Sequence, residues 1–276
     1  MVKEAALVGK AMTLLEILGA EGTCSISSLA ERAGLPLATT HRIVRTLIDR
    51  DYVTCVARSR YMLGTAVLHL GAAISVRQLL AEAARPLLRD LSTREGLHTY
   101  LAVLEDDMVT YLVKSSSGQH PYASAEGLQL EAYCTGVGKV LLAHLPPEAL
   151  QSYLRQGELV ALTANTITSP GALRKELDRV REQGWSVDRE ETMAGLQCVA
   201  VPIRSSSGDV CAAISASGAA SRVSEQSIAS LSTELREVSR RITERAFFRR
   251  NGSRDVAAKT PDVPDGGTPK RRLQAS

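Results

Sequence analysis

The side chains with the most capacity for chemistry fall in three short stretches. In the first, Thr39, Thr40, His41, Arg42 and Arg45 are interleaved with Leu37, Ile43, Val44, Leu47 and Ile48. The apolar set repeats at helical spacing, which gives a helix with an oily back and a donor-rich front. Such a helix suits the major groove of duplex DNA, where Arg pairs with both acceptors of guanine and hydroxyls reach base edges or phosphates. Ser27, in the helical stretch just before, adds a hydroxyl to the set, and Arg58 and Arg60 follow on a tight turn between two strand-like runs. A merely solvated polar face would account for the helix alone. The basic hairpin behind it, placed to straddle the sugar-phosphate backbone, favours DNA.

In the second stretch, Ser215 and Ser217 lie two apart on one predicted strand, so their hydroxyls point the same way, and Cys198 on the preceding strand can face them. Two hydroxyls and a thiol suit a ligand that carries a carboxylate or a hydroxyl. The competing reading leaves the serines facing solvent and the cysteine in plain core, since free cysteine is among the most buried residue types; the residues by themselves favour it. The third stretch, Gly136-Val137-Gly138-Lys139, is not a nucleotide loop. A Walker A motif needs Gly where Tyr133 stands and Ser or Thr where Val140 stands, and a dinucleotide fingerprint needs Gly where Leu141 stands. It reads instead as a tight loop that offers backbone N–H groups at a helix start, to an anion or to close packing. The histidines, His41, His69, His98, His120 and His144, have no metal-ligand spacing, so neither a metal, a cofactor nor a catalytic site is expected.

These groups need two kinds of scaffold. Leu7 to Leu18 is periodic and stopped by Gly19 and Gly22; Ser25 to Gly34 has a hydroxyl cap and a terminal glycine; Pro36 starts the donor-rich helix. With Tyr52–Val56 and Tyr61–Gly64 as a hairpin, residues 1–73 have the layout of a winged helix-turn-helix domain. Thr65 to Leu91 continues as helix, broken at Pro86, with residues 74–91 as a linker. Residues 92–248 then mix strands with helices: a hairpin turning at Glu105-Asp106-Asp107, a helix from Gly136 to Leu145, another from about Pro170 to Gln183, paired strands at 197–203 and 210–217, and a long helix from about Ser224 to Phe248. The fold class is α+β, with an antiparallel sheet in the second domain. Residues 249–276 are polar and basic and are expected to be disordered.

Composition fits this division. Lys/Arg against Asp/Glu run 8 to 6 in residues 1–75, 17 to 21 in residues 76–244 and 8 to 3 in residues 245–276, so polyanion contact belongs at the ends of this 276-residue chain. Aromatics make up only 4%, too few for a platform that stacks single-stranded bases, which leaves double-stranded DNA. Five cysteines at scattered spacings without a C-x-x-C fit a reducing, cytoplasmic setting. Apolar runs such as Val140 to Leu145 fall far short of the roughly 20 residues of a membrane span, so no membrane partner is expected.

Taken together these segments resemble the IclR family of bacterial transcriptional regulators. The likeness runs from residue 5 to about 248. It rests on the winged helix, on Gly136-Val137-Gly138-Lys139-Val140-Leu141-Leu142-Ala143, on the acidic stretch Asp188-x-Glu190-Glu191, and on Gly195-Leu196-Gln197-Cys198-Val199-Ala200-Val201-Pro202-Ile203 followed by Ala212 to Gly218. The resemblance implies a GAF-like effector domain, an operator of pseudo-palindromic duplex DNA, a dimer or tetramer, and a small-molecule effector such as an organic acid or aromatic catabolite. It implies effector contacts at Asp188, Leu196, Cys198, Ser215 and Ser217, to which Gly136 and Met193 are added as pocket walls. The alternative is a thiol enzyme or redox sensor built on the same domain with Cys198 as the reactive group and Cys211 as its resolving partner.

Overall fold

The structure is a computed structural model that describes residues 6–116 and 125–247; the expected disordered tail lies outside them. The chain divides into two compact units between Glu82 and Ala83.

In the first unit, α1 (Ala6–Glu21), α2 (Ile26–Ala33) and α3 (Leu37–Ile48) bury Leu14, Leu18, Leu29, Ile43, Val44 and Leu47 in one small core. Local sequence sets the helix ends. The Ser25 hydroxyl accepts the Ser28 N–H at the start of α2, and Gly34 closes that helix with φ 63°, a left-handed conformation open to glycine without a Cβ clash. β1 (Val53–Ala57) and β2 (Arg60–Leu63) form the antiparallel wing. Reciprocal bonds between Cys24 and Tyr61 (2.9 and 2.8 Å) tie the wing to the α1–α2 connection, so β2 is anchored on both edges.

The expected single helix broken at Pro86 is corrected. The structure has α4 (Thr65–Ala72) and α5 (Val76–Glu95), with the interruption at residues 73–75 and Pro86 inside α5. The break falls where Ser75 can act as a cap: its hydroxyl accepts the Gln78 N–H at 3.3 Å and its carbonyl accepts Leu79 N–H at 3.0 Å. Pro86 forfeits one intrahelical bond, yet Ala83, Ala84, Leu87, Leu88 and Leu91 around it are buried, and packing of that face holds the turn together.

The second unit is built on a six-stranded, wholly antiparallel sheet in the order β5-β4-β3-β8-β7-β6, made of β3 (His98–Glu105), β4 (Met108–Ser115), β5 (Gln129–Glu131), β6 (Ser186–Arg189), β7 (Leu196–Arg204) and β8 (Val210–Ala219). Asp106 and Asp107, at φ 47° and 67°, make the two-residue turn of the β3–β4 hairpin. One face packs against α6 (Gly136–Ala143), which in turn packs on α8 (Pro170–Gln183), while α7 (Pro147–Tyr153) adds Leu150 and Tyr153 to that core. α9 (Glu225–Phe247) packs against β7 and β8. Val199, Val201, Ile203 and Ile214, turned away from α6, are all fully buried. β5 and β6 were not expected from the sequence.

Candidate functional site

On α3, His41, Arg42 and Arg45 are exposed and Thr39 is half-buried, while Ile43, Val44 and Leu47 lie in the core. Ser27 on α2 is exposed, as are Arg58 and Arg60 at the tip of the wing. Thr40 is the exception and is corrected: its side chain is 0% exposed, and its hydroxyl donates to the Pro36 carbonyl at 3.2 Å. Counting from Thr40 to Ile43, Val44 and Leu47 gives the i, i+3, i+4, i+7 spacing of the buried stripe, so its methyl group faces the core with them. The remaining set presents hydroxyl, imidazole and guanidinium donors on one helix, with two further cations on a hairpin of the same unit.

In the second unit the strand register brings the other candidate residues together. Asp188 pairs with Cys198 across β6–β7, Cys198 with Ser217 across β7–β8, and Ser215 with Tyr100 across β8–β3. α6 begins over this row: a Cβ added to Gly136 would lie 3.1 Å from the Cys198 sulfur. Between sheet and helix is a cavity of about 160 Å³ lined by all seven candidates, Gly136, Asp188, Met193, Leu196, Cys198, Ser215 and Ser217. Tyr100, Tyr111, Leu128, Leu130, Thr135 and Thr192 complete its wall and were missed in the sequence. β3 is buried along most of its length, so no alternation marks which of its side chains face the cavity.

The end of α6 and the acidic stretch are wired to each other. Thr135 caps α6 by accepting the Gly138 N–H, and a Cβ on Gly138 would come within 2.1 Å of the Ala132 carbonyl oxygen; the glycine allows a close backbone crossing. Lys139 is fully buried, donating to the Val187 carbonyl at 2.6 Å and to the Glu191 carboxylate, with Glu176 at 3.8 Å. Asp188 organises the loop that follows it: Oδ1 accepts the N–H groups of Glu191 (2.7 Å) and Thr192 (3.4 Å), and Oδ2 accepts the Thr192 hydroxyl (2.7 Å). Burial raises the pKa of Asp188 and of Glu191, outweighing in each case the opposing pull of hydrogen bonds and of Lys139.

Burial also pushes the Cys198 thiol up to about 12, the wrong direction for a nucleophile or redox centre. Cys211 sits by the Ile203 carbonyl at 3.7 Å. Cys198 and Ile203 are five positions apart on β7, roughly 16 Å at the usual rise, so Cys211 is not placed to resolve a Cys198 adduct.

A winged helix-turn-helix unit followed by a pocketed α+β unit defines the class: a helix-turn-helix regulator with a separate C-terminal domain. Residues 7–56 match the IclR helix-turn-helix domain, and residues 71–244 match the bacterial transcriptional regulator IclR C-terminal family. The HTH-type transcriptional regulator BhcR of Paracoccus denitrificans is 30% identical over 236 residues, 85% of each chain. Among solved structures, a putative IclR transcriptional regulator from Silicibacter sp. TM1040 aligns with TM-score 0.66 at 27% identity, covering 87% of this chain and 95% of that one. An IclR homolog complexed with 4-hydroxybenzoate, from Microbacterium hydrocarbonoxydans, aligns with TM-score 0.58 at 26% identity over 87% and 98% of the two chains. The chain belongs to the IclR family of bacterial transcriptional regulators.

Proposed function

We propose that this protein is a cytoplasmic, homo-oligomeric regulator whose first unit reads a pseudo-palindromic duplex operator and whose second unit binds a small organic acid or aromatic catabolite that alters that binding. The observation that carries the reading is the two-faced α3: its apolar stripe is fixed in the core while His41, Arg42 and Arg45 stand in solvent, with Arg58 and Arg60 exposed on the wing. Arg42 and Arg45 read bases, Thr39 and Ser27 supply hydroxyls to base edges or phosphates, and the wing arginines hold the backbone. The second unit supplies the effector pocket: the cavity over Cys198, Ser215 and Ser217 combines small polar groups with aliphatic walls, and a family relative has been crystallised with 4-hydroxybenzoate. The protein acts by binding, without catalysis.

Selection of duplexes from a random-sequence pool by the purified protein, followed by affinity measurement on the enriched site, tests the first half. An Arg42→Ala, Arg45→Ala variant should lose ~1–3 kcal/mol per base contact and relax sequence preference, whereas Arg58→Ala should weaken all sequences alike and flatten the salt dependence. Wild-type affinity and preference in the folded double variant would remove α3 as the reading element.

A further inference from the structure

Most hydrogen-bonding groups around the cavity are already satisfied by the protein. Asp188 has both oxygens filled by residues 191–192. Thr135 accepts from Gly138 and donates to the Glu131 carbonyl, each at 3.1 Å. The Thr192 hydroxyl is held by Asp188 and the Cys134 carbonyl, and the Ser215 side chain neighbours the Cys198 thiol. Two groups are left: the Ser217 and Tyr111 side chains are buried and line the cavity, and no described residue hydrogen-bonds to either hydroxyl. Neither oxygen is among the buried unpaired atoms of the described residues, so both open into the cavity and are available to whatever fills it.

The walls limit what that ligand is. Tyr111 packs on Tyr100 with ring centroids 5.0 Å apart and planes inclined by 50°, and Leu128, Leu130 and Leu196 continue the apolar lining. A cavity of roughly 150 Å³ lined by apolar side chains is enough for a benzene ring. The 160 Å³ here therefore suits one six-membered ring with a substituent or two better than fused rings. Tyr111 is held neutral by burial and by the neighbouring Cys198, Tyr100 and Asp188, so it offers a hydroxyl that both donates and accepts and carries no charge.

We propose that Tyr111 is the specificity-determining residue of this pocket, its phenol reading a hydroxyl on a single-ring effector whose other polar end lies at Ser217. This rests on reading the cavity as the effector site. A site that hydrogen-bonds a ligand hydroxyl discriminates against the analogue lacking it far more strongly than an apolar pocket discriminates by size.

The test is calorimetric titration of the full-length protein with benzoate, 3-hydroxybenzoate, 4-hydroxybenzoate, phenol, 2-naphthoate and pyruvate, repeated on Tyr111→Phe and Ser217→Ala. At least one hydroxylated ring should bind wild type about tenfold or more tighter than benzoate, the scale of one buried hydrogen bond, and 2-naphthoate should bind more weakly than benzoate. Tyr111→Phe should erase that advantage and leave benzoate affinity within about twofold, while Ser217→Ala should weaken every bound ring alike. An advantage that persists in Tyr111→Phe overturns the assignment. Because the wild-type ladder is read without any variant, equal binding of benzoate and both hydroxybenzoates, or binding of none of the rings, overturns it as well. Binding of pyruvate alone, lost in Ser217→Ala, would leave the cavity as the effector site and sink only the role of Tyr111.

Discussion

Asp188 carries a carboxylate into the wall of the cavity, and its acid–base behaviour follows from that burial. Its folded pKa lies above the ordinary value, so over that interval the native state binds more protons than the unfolded chain. The Asp188 contribution to stability is therefore greatest below about pH 4 and declines as pH rises through the folded value. Urea unfolding of wild type and Asp188→Asn at a series of pH values should show the stability advantage of wild type shrinking as pH rises and then levelling; an advantage that grows with pH would contradict the assignment. Thr40 sits on the apolar stripe of α3 by spacing, yet its residue type suggests a DNA contact; period outranks polarity there. Lys139 is buried against Glu191, 52 positions away, and a buried lysine is legible only through its partner. The motif around Gly136 and the acidic stretch are both visible in the sequence, but nothing local connects them.

Elements whose ends are set by short-range chemistry were the easiest to read: the glycine stop of α2, the proline start and glycine stop of α8, the β3–β4 turn. β5 and β6 were not, because strands of three and four residues carrying Gln129, Glu131, Asp188 and Arg189 show no apolar alternation, and their pairing is decided by longer neighbours. The same reasoning separates two glycines at helix starts. At Gly138 a methyl group meets backbone 2.1 Å away, whereas at Gly171 the nearest atom is the Ser169 hydroxyl oxygen at 3.9 Å. Gly138→Ala should therefore lower the stability of the second unit by several kcal/mol through overpacking and cost effector binding, whereas Gly171→Ala should be neutral or stabilising by up to about 1 kcal/mol. Thermal unfolding of the two variants checks this, and equal melting temperatures would mean that the α6 crossing is more yielding than its geometry implies.

At the scale of the whole molecule the salient feature of the first unit is uncovered apolar surface. Leu7, Val8 and Met12 on α1, and Leu68 (72% exposed), Leu70, Ile74, Val76 and Leu79 on or beside α4 and α5, all face solvent in the single chain. Scattered apolar residues need no explanation, but a set this dense suits an interface, and two copies of α3 are needed to read the two halves of a pseudo-palindrome. Light scattering at micromolar concentration should give a dimer or tetramer, and Leu68→Glu with Leu7→Glu should shift it toward monomer and lower operator affinity. A wild-type monomer with full affinity would exclude this arrangement. Within such an assembly an effector would act only by binding the DNA-competent and incompetent states unequally, with a coupling typically of ~1–3 kcal/mol, or about 5- to 150-fold in operator affinity.

The uneven burial of the cysteines has a practical consequence. Cys24, Cys134 and Cys198 are buried and Cys211 is partly covered, while Cys55 is exposed on β1, three residues from Arg58 at the wing tip. A thiol-directed dye added to the native chain under mild conditions will settle first on Cys55, putting a fluorescent reporter beside the hairpin proposed to hold the DNA backbone, without engineering a single residue. Its intensity and anisotropy would then report docking in real time, on the same sample in which the pocket is being filled.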